Sequence, residues 1–194
     1  MEIAQAAASL FVRQGLRATR AEDIARAAGI APRTFYRYFA TKEEAVAPLY
    51  AEGAQRWREA VRTAPAGMTV PQALEHAVRY TLTPGAGVTA ASWQLGRALL
   101  QLTDSSPALA RVWAEVCLES EDRLAEVLRE RWGNGEEGTG DGELRFAAAV
   151  AGAVVRVAVE SWAADESPAS GAEEPAAGAL RNLAALEGFA WGGA

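Results

Sequence analysis

The chain has 194 residues, 50% hydrophobic and 23% charged, which is enough apolar material for one core or two small ones and too much for a disordered chain. One cysteine and one histidine exclude an internal disulfide and leave too few ligands for a metal cluster. The net charge of −6 argues on its face against a polyanion partner, but residues 1–42 hold seven basic side chains against three acids, a local +4 that leaves −10 for the rest. A small DNA-facing part on an acidic body shows that asymmetry, because phosphate attraction is local at physiological screening.

The first predicted helix covers 2–14, where Ile3, Ala6, Ala7, Leu10 and Phe11 make one apolar stripe and Gly15 stops it. Thr19 with Glu22 has the form of a capping box and predicts the start of a second helix. There Ile24 and Ala28 recur at helical spacing, Ala25 is small enough for a crossing helix, and Gly29 supplies the positive φ of a sharp turn. A third helix follows at once. Pro32 suits its first turn, and Phe35 and Phe39 share one face while Arg33, Thr34, Tyr36 and Arg37 occupy the other. Ala31 stands where a side-chain cap is common, at a cost of about 1 kcal/mol. Thr41 with Glu44 predicts a further capping box, opening a fourth helix to about residue 62 with a kink or fray at Pro48.

Two short helices joined by a glycine turn, the second polar and aromatic at its start, form a helix-turn-helix. The segment GIAPRTFYRYFATKEE resembles the recognition helix and following turn of tetracycline-repressor-like (TetR) transcriptional regulators. LFVRQGLRAT and EDIARAAGI match the part before it, so the resemblance covers roughly residues 3–50. It implies a helix-turn-helix domain over 1–45 and a helical ligand-binding and dimerisation domain over 46–194, about nine helices in all. It further implies a cytoplasmic homodimer on an inverted-repeat operator in double-stranded DNA, a repressor that lets go when a small molecule enters the body and moves the fourth helix. By the same correspondence Arg33, Thr34, Tyr36 and Arg37 read bases, while Arg20, Tyr38 and Lys42 hold phosphates. An Arg fork fits guanine O6 and N7, and a Thr offers its methyl to thymine. Lys42 is expected on the first turn of the fourth helix, where end-on amides favour an anion. For Tyr36 and Tyr38 the plainer reading is half-buried packing; for Arg33 and Arg37 it is a solvated face. Many family members carry a basic arm before the first helix, whereas here the stripe begins at Ile3 and the number of phosphate contacts stays open.

Beyond residue 62 the pattern stays helical and the fold class reads as all-α. Helices are predicted over about 70–82 behind a Thr69 and Gln72 cap, 88–102, 107–132 behind Ser106 and Pro107, 143–164, and 176–190, with loose Gly- and acid-rich segments at 133–142 and 165–175. Tyr80, Trp93, Arg97, Leu100, Trp113 and Cys117 are the expected effector contacts, aromatic walls for a flat or lipophilic molecule with Arg97 for a carboxylate. Plain core is the commoner use of aromatics at such spacing, and a small buried hydrophobe the commoner use of a lone Cys117. His76 reads as a surface or capping residue. The stretch FAAAVAGAVVRVAVESW is apolar nearly all round, so Gly152 and its alanines suit either an intersubunit bundle or a central helix within one subunit. Arg156 there pairs with Glu160, crosses the interface or meets a ligand acid, in that order of preference. Leu180, Leu183 and Phe189 complete the expected dimerisation set.

The longest uninterrupted apolar run, residues 146–155, is ten residues, too short for a bilayer, and no signal-peptide pattern follows Met1, so no membrane is expected. Catalytic motifs with HExxH, GxSxG or phosphate-loop spacing are missing, and Glu119 and Glu121 lie two apart on a helix and diverge. No enzyme, cofactor or metal is therefore expected. The rival reading is a helical protein-interaction module that reuses the head without specific DNA binding.

Overall fold

The stripe at the start of the chain folds as α1 (Glu2–Gln14), burying Ala4, Ala7, Ala8 and Phe11. The structure, a computed structural model, describes residues 1–83, 88–133, 140–165 and 174–188. Among them are nine α-helices, two short 3-10 turns and no strand, as the all-α reading expects. The chain forms two compact units, one of Met1–Gly53 with Ala90–Val116 and one of Ala54–Thr89 with Cys117–Ala194.

In the first unit, α2 (Ala21–Ala27) does not start at the expected cap. Thr19 is buried, and its hydroxyl donates 2.9 Å back to the Gly15 carbonyl while accepting from Gln14 Nε2 at 3.2 Å. Arg20 is the N-cap instead, its backbone N–H held by Asp23 Oδ2 at 3.1 Å. The threonine thus secures the loop after α1, and the acid one residue past Glu22 secures α2. The predicted turn is present. Gly29 has φ 68°, Ile30 N–H reaches the Ala25 carbonyl at 2.9 Å, and Gly29 N–H reaches Arg26 at 3.1 Å, the paired bonds of a left-handed helix stop.

α3 (Pro32–Tyr38) starts on Pro32 with no side-chain cap at Ala31. Phe35 is fully buried against Phe11, Ile24 and Ala25 in one core. The break expected at Pro48 is a change of helix type. A 3-10 turn, Glu43–Val46, gives way to α4 (Ala47–Arg62), so Pro48 falls in a first turn where its missing N–H costs nothing. Thr41 Oγ1 accepts Glu44 N–H at 3.3 Å, but the Glu44 carboxylate returns to Ala40 N–H at 2.9 Å, one residue early. The remaining parts of this unit are α6 (Ala90–Gln101) and the start of α7 (Pro107–Trp132), with Ser106 Oγ accepting Leu109 N–H at 3.3 Å. Leu99, Leu109, Val112 and Val116 join the same core, and Tyr50 donates to the Leu99 carbonyl at 3.3 Å.

The second unit comprises the later part of α4, α5 (Val70–Thr81), the rest of α7, α8 (Asp141–Ala164) and α9 (Pro175–Ala184). Arg131 donates to the Val61 and Pro65 carbonyls and Trp132 Nε1 to Met68 at 3.1 Å, which ties the end of α7 to the loop after α4. α9 packs on α8 and α5, with Asn182 Nδ2 donating 3.2 Å to the Val154 carbonyl. α9 is shorter than predicted. It ends at Ala184, and Phe189 lies outside the described residues, as do most of the two loose segments.

Candidate nucleic-acid interface

Phe35 decides how α3 presents itself. With that ring buried, neighbours one position away are rotated by about 100° and those two positions away by about 200°, because a helix has 3.6 residues per turn. Arg33, Tyr36, Arg37 and Tyr38 are exposed and Thr34 is half-buried. Tyr36 and Tyr38 keep 53% and 60% of their surface, so neither is packed away. The Tyr36 ring stands edge-on to Phe35, 5.6 Å between centroids at 89°, and its hydroxyl donates 3.3 Å to Glu22 Oε1 on α2. Surrounding protein first, and then the Glu22 charge and hydrogen bond, hold the Tyr36 phenol above its ordinary value, so it stays protonated at neutral pH. Arg37 Nη2 donates 3.0 Å to the Tyr38 hydroxyl, and its guanidinium carbon lies 4.9 Å from that ring's centroid. A guanidinium has five N–H donors, so this leaves Arg37 able to meet a base.

Of the expected phosphate residues, Arg20 is exposed at the start of α2 and Tyr38 projects beside Arg37. Lys42 is placed otherwise. It is the N-cap residue of a four-residue 3-10 turn that runs into α4, not a residue of an α-helix's first turn. Its ammonium donates to the Leu16 carbonyl at 2.6 Å and to Thr19 at 2.9 Å, with Glu43 at 3.9 Å. Two of its three donors fasten the loop between α1 and α2.

The six expected effector residues fall in both units. In the first, Trp93 and Arg97 are half-buried on α6, while Leu100 and Trp113 pack on the core, Trp113 at 5.1 Å and 63° to Tyr50. In the second, Tyr80 is 63% exposed, its ring parallel to His76 at 6.4 Å on the outside of α5. The face α5 buries runs through Ala73, Leu74, Ala77 and Val78, and a residue two past Val78 points away from it. Tyr80 is therefore not part of an interior wall. Burial pushes the Cys117 thiol up to about 12 despite Arg156, so it carries no thiolate at neutral pH. Residue spacing alone overlooked Trp57. It is only 5% exposed and its indole N–H has no acceptor among the described residues, although the spacing of Tyr50, Trp57 and Val61 along α4 marks a buried stripe.

On α8 the small residue does not face outward alone. A Cβ on Gly152 would stand 2.6 Å from Glu121 Cγ of α7, so this glycine is needed for packing inside the subunit. Arg156 makes the pair ranked first, 3.3 Å to Glu160. α8 also averages a mean hydropathy of 1.5 over an 18-residue window, long and apolar enough to cross a membrane, which counting only the uninterrupted run missed. Only 33% of that window is buried. Its open apolar positions are Phe146, at 60%, and Val157, at 44%, eleven apart and hence on one face. Leu183 is buried and Leu180 half-buried on α9.

Known proteins match both this head and the whole fold. The family model of bacterial regulatory proteins, tetR family, matches residues 3–47. An HTH-type transcriptional regulator, TcmR of Streptomyces glaucescens, is 33% identical over 164 residues, 83% of this chain and 71% of that protein. The crystal structure of the TetR family repressor AlkX from Dietzia sp. strain DQ12-45-1b superposes with a TM-score of 0.64 at 18% identity, covering 97% of this chain and 96% of that one. Thermus thermophilus FadR, a TetR family transcriptional repressor solved with lauroyl-CoA, is 28% identical with a TM-score of 0.57, covering 96% and 92%. The interaction-module reading is not favoured. With an outward α3, a basic head and these relatives, the chain belongs to the tetR family of bacterial regulatory proteins and is a DNA-binding transcriptional regulator.

Proposed function

We propose that two copies of this chain act together as a cytoplasmic, effector-released repressor and not as an enzyme, each head reading one half-site of an inverted repeat. The observation that carries the reading is the outward face of α3, where Arg33, Thr34, Tyr36 and Arg37 surround the buried Phe35 anchor. Arg33, Thr34, Tyr36 and Arg37 take the bases, and Arg20 and Tyr38 the phosphates; Lys42 adds to the phosphate contacts through the donor left over from the α1 to α2 loop. One helix in one groove buries too little for selectivity, so pairing is required. The partly open face of α8 around Phe146 and Val157, with Leu180 half-buried on α9, supports pairing through these two helices, whereas Leu183 is buried within the subunit. Phe189 of the same proposed set lies outside the described residues; Gly152 and Arg156, which have partners within the subunit, contribute less directly.

The effector is a small lipophilic or aromatic molecule. Trp93, Arg97, Leu100 and Trp113, all of the first unit, remain its candidate contacts, while Cys117 falls in the second. The lauroyl-CoA in the FadR structure supports an apolar ligand class. Selection of bound fragments from random duplex DNA tests the core of the proposal. Enrichment of an inverted repeat with half-sites roughly 34–36 Å apart, or a multiple, is expected. A pool with no enriched sequence, or one with a single asymmetric site, overturns it.

A further inference from the structure

Glu22 is an acid on the DNA-facing side of a basic head, exposed on α2 and held across the glycine turn to Tyr36 of α3. A carboxylate there repels phosphate, so its presence calls for a local reason. The Tyr36 hydroxyl supplies one. A phenol has a single proton to donate, and an ionised carboxylate accepts only. With the ring fixed edge-on against Phe35, the hydroxyl points over α2 and gives that proton to Glu22 Oε1 at 3.3 Å. What Tyr36 retains are the lone pairs of its oxygen.

We infer that Glu22 sets the base preference of Tyr36: by taking the one phenolic proton it turns Tyr36 into an acceptor, so the base Tyr36 reads is adenine or cytosine. In the major groove only adenine N6 and cytosine N4 present donors, whereas guanine O6 and N7, adenine N7 and thymine O4 accept. A phosphate oxygen, also an acceptor, is refused by the same arrangement. Glu22 is thus a positioning residue acting through Tyr36, and its neighbour Asp23 is occupied separately by the Arg20 amide and by Arg26 at 3.3 Å. The inference rests on the regulator reading proposed above.

The test runs the random-duplex selection on the full-length protein and on the Tyr36→Phe, Glu22→Gln and Glu22→Ala variants. In the wild-type pool one position of each half-site is expected to carry adenine or cytosine on the contacted strand, and Tyr36→Phe is expected to lose that preference alone. Glu22→Ala frees the phenol to donate, so guanine and thymine enter at the same position, with discrimination falling about 3- to 10-fold, the worth of one hydrogen bond. Glu22→Gln, whose amide both donates and accepts, falls between. Loss of the acid also raises affinity for every duplex alike, which measured binding separates from the change in base preference. Guanine or thymine at the Tyr36 position in the wild-type pool overturns the inference, as does a Glu22→Ala pool that differs only in overall affinity. A wild-type pool without any enriched symmetric sequence overturns the regulator reading instead, and this inference with it.

Discussion

The helices of the head and the α8 and α9 pair of the second unit are buried with different materials, although Leu74, Leu124 and Leu128 anchor that second unit elsewhere. The first unit closes around a few large side chains, Phe11, Ile24, Phe35, Leu99 and Leu109, and its helix ends are fixed by neighbours: Asp23 on Arg20, Gly29 on Arg26, Ile30 on Ala25, Glu44 on Ala40. The second packs α8 and α9 largely through Ala147, Ala148, Ala151, Ala158, Ala176 and Ala179, and its polar ties reach across long stretches of chain, from Trp132 to Met68 and from Asn182 to Val154. Large anchors with local caps specify one geometry for a reading surface. Small side chains let helices approach closely, and the fit then depends on what each helix meets.

If that contrast holds, the largest single loss comes from an anchor. Phe35→Ala should cost about 3–5 kcal/mol in urea unfolding and abolish duplex binding, because it empties the core beneath α3. A loss under about 1 kcal/mol would mean that α3 is held by something other than this ring. Lys42 comes next, and it separates two roles. Lys42→Met leaves the Leu16 and Thr19 carbonyls without their donor and should lower the stability of the free protein by about 1–3 kcal/mol, with no DNA present. Unchanged stability with weaker binding to all duplexes would return Lys42 to a purely phosphate-holding role.

The same contrast explains what could be read from the sequence. The head was legible because its determinants sit within a turn of one another: a stripe ending at Gly15, a positive-φ Gly29, Pro32 opening α3, and Phe35 and Phe39 on one face, 5.4 Å apart. Even there, side-chain direction was not legible. Thr19 has the composition of a cap, yet it is drawn inward by the Gly15 carbonyl, and Lys42 by two others. Glu22 was visible only as half of a cap, since nothing in the spacing reveals that Tyr36, fourteen residues on, reaches it. In the second unit the helices were legible from periodicity, but their partners were not. Gly152 looked like an open surface for another subunit because the Glu121 methylene that fills the space lies 31 residues away in sequence. Tyr80 looked like a wall for want of knowing which α5 face is covered.

Two glycines sharpen the comparison with smaller effects. At Gly29 a Cβ meets nothing within 4 Å and the constraint is φ, so Gly29→Ala should cost about 1–2 kcal/mol whatever surrounds it. At Gly152 the backbone is helical and alanine is intrinsically favoured by about 1 kcal/mol, but Glu121 Cγ occupies the space. Gly152→Ala should therefore gain nothing alone and recover most of that 1 kcal/mol in a Glu121→Ala background, a coupling that a double-mutant cycle measures and that additivity would refute. Glu121 carries the smallest effect. Burial raises its carboxyl above the ordinary value, with Arg156 opposing and Asp122 adding. The native state then binds more protons than the unfolded chain in the window above the ordinary glutamate value, so stability attributable to Glu121 is greatest below that window and falls as pH rises through the raised folded value. Glu121→Gln should flatten that decline in unfolding free energy measured against pH. An unchanged slope would place Glu121 in water and leave Gly152 without its neighbour.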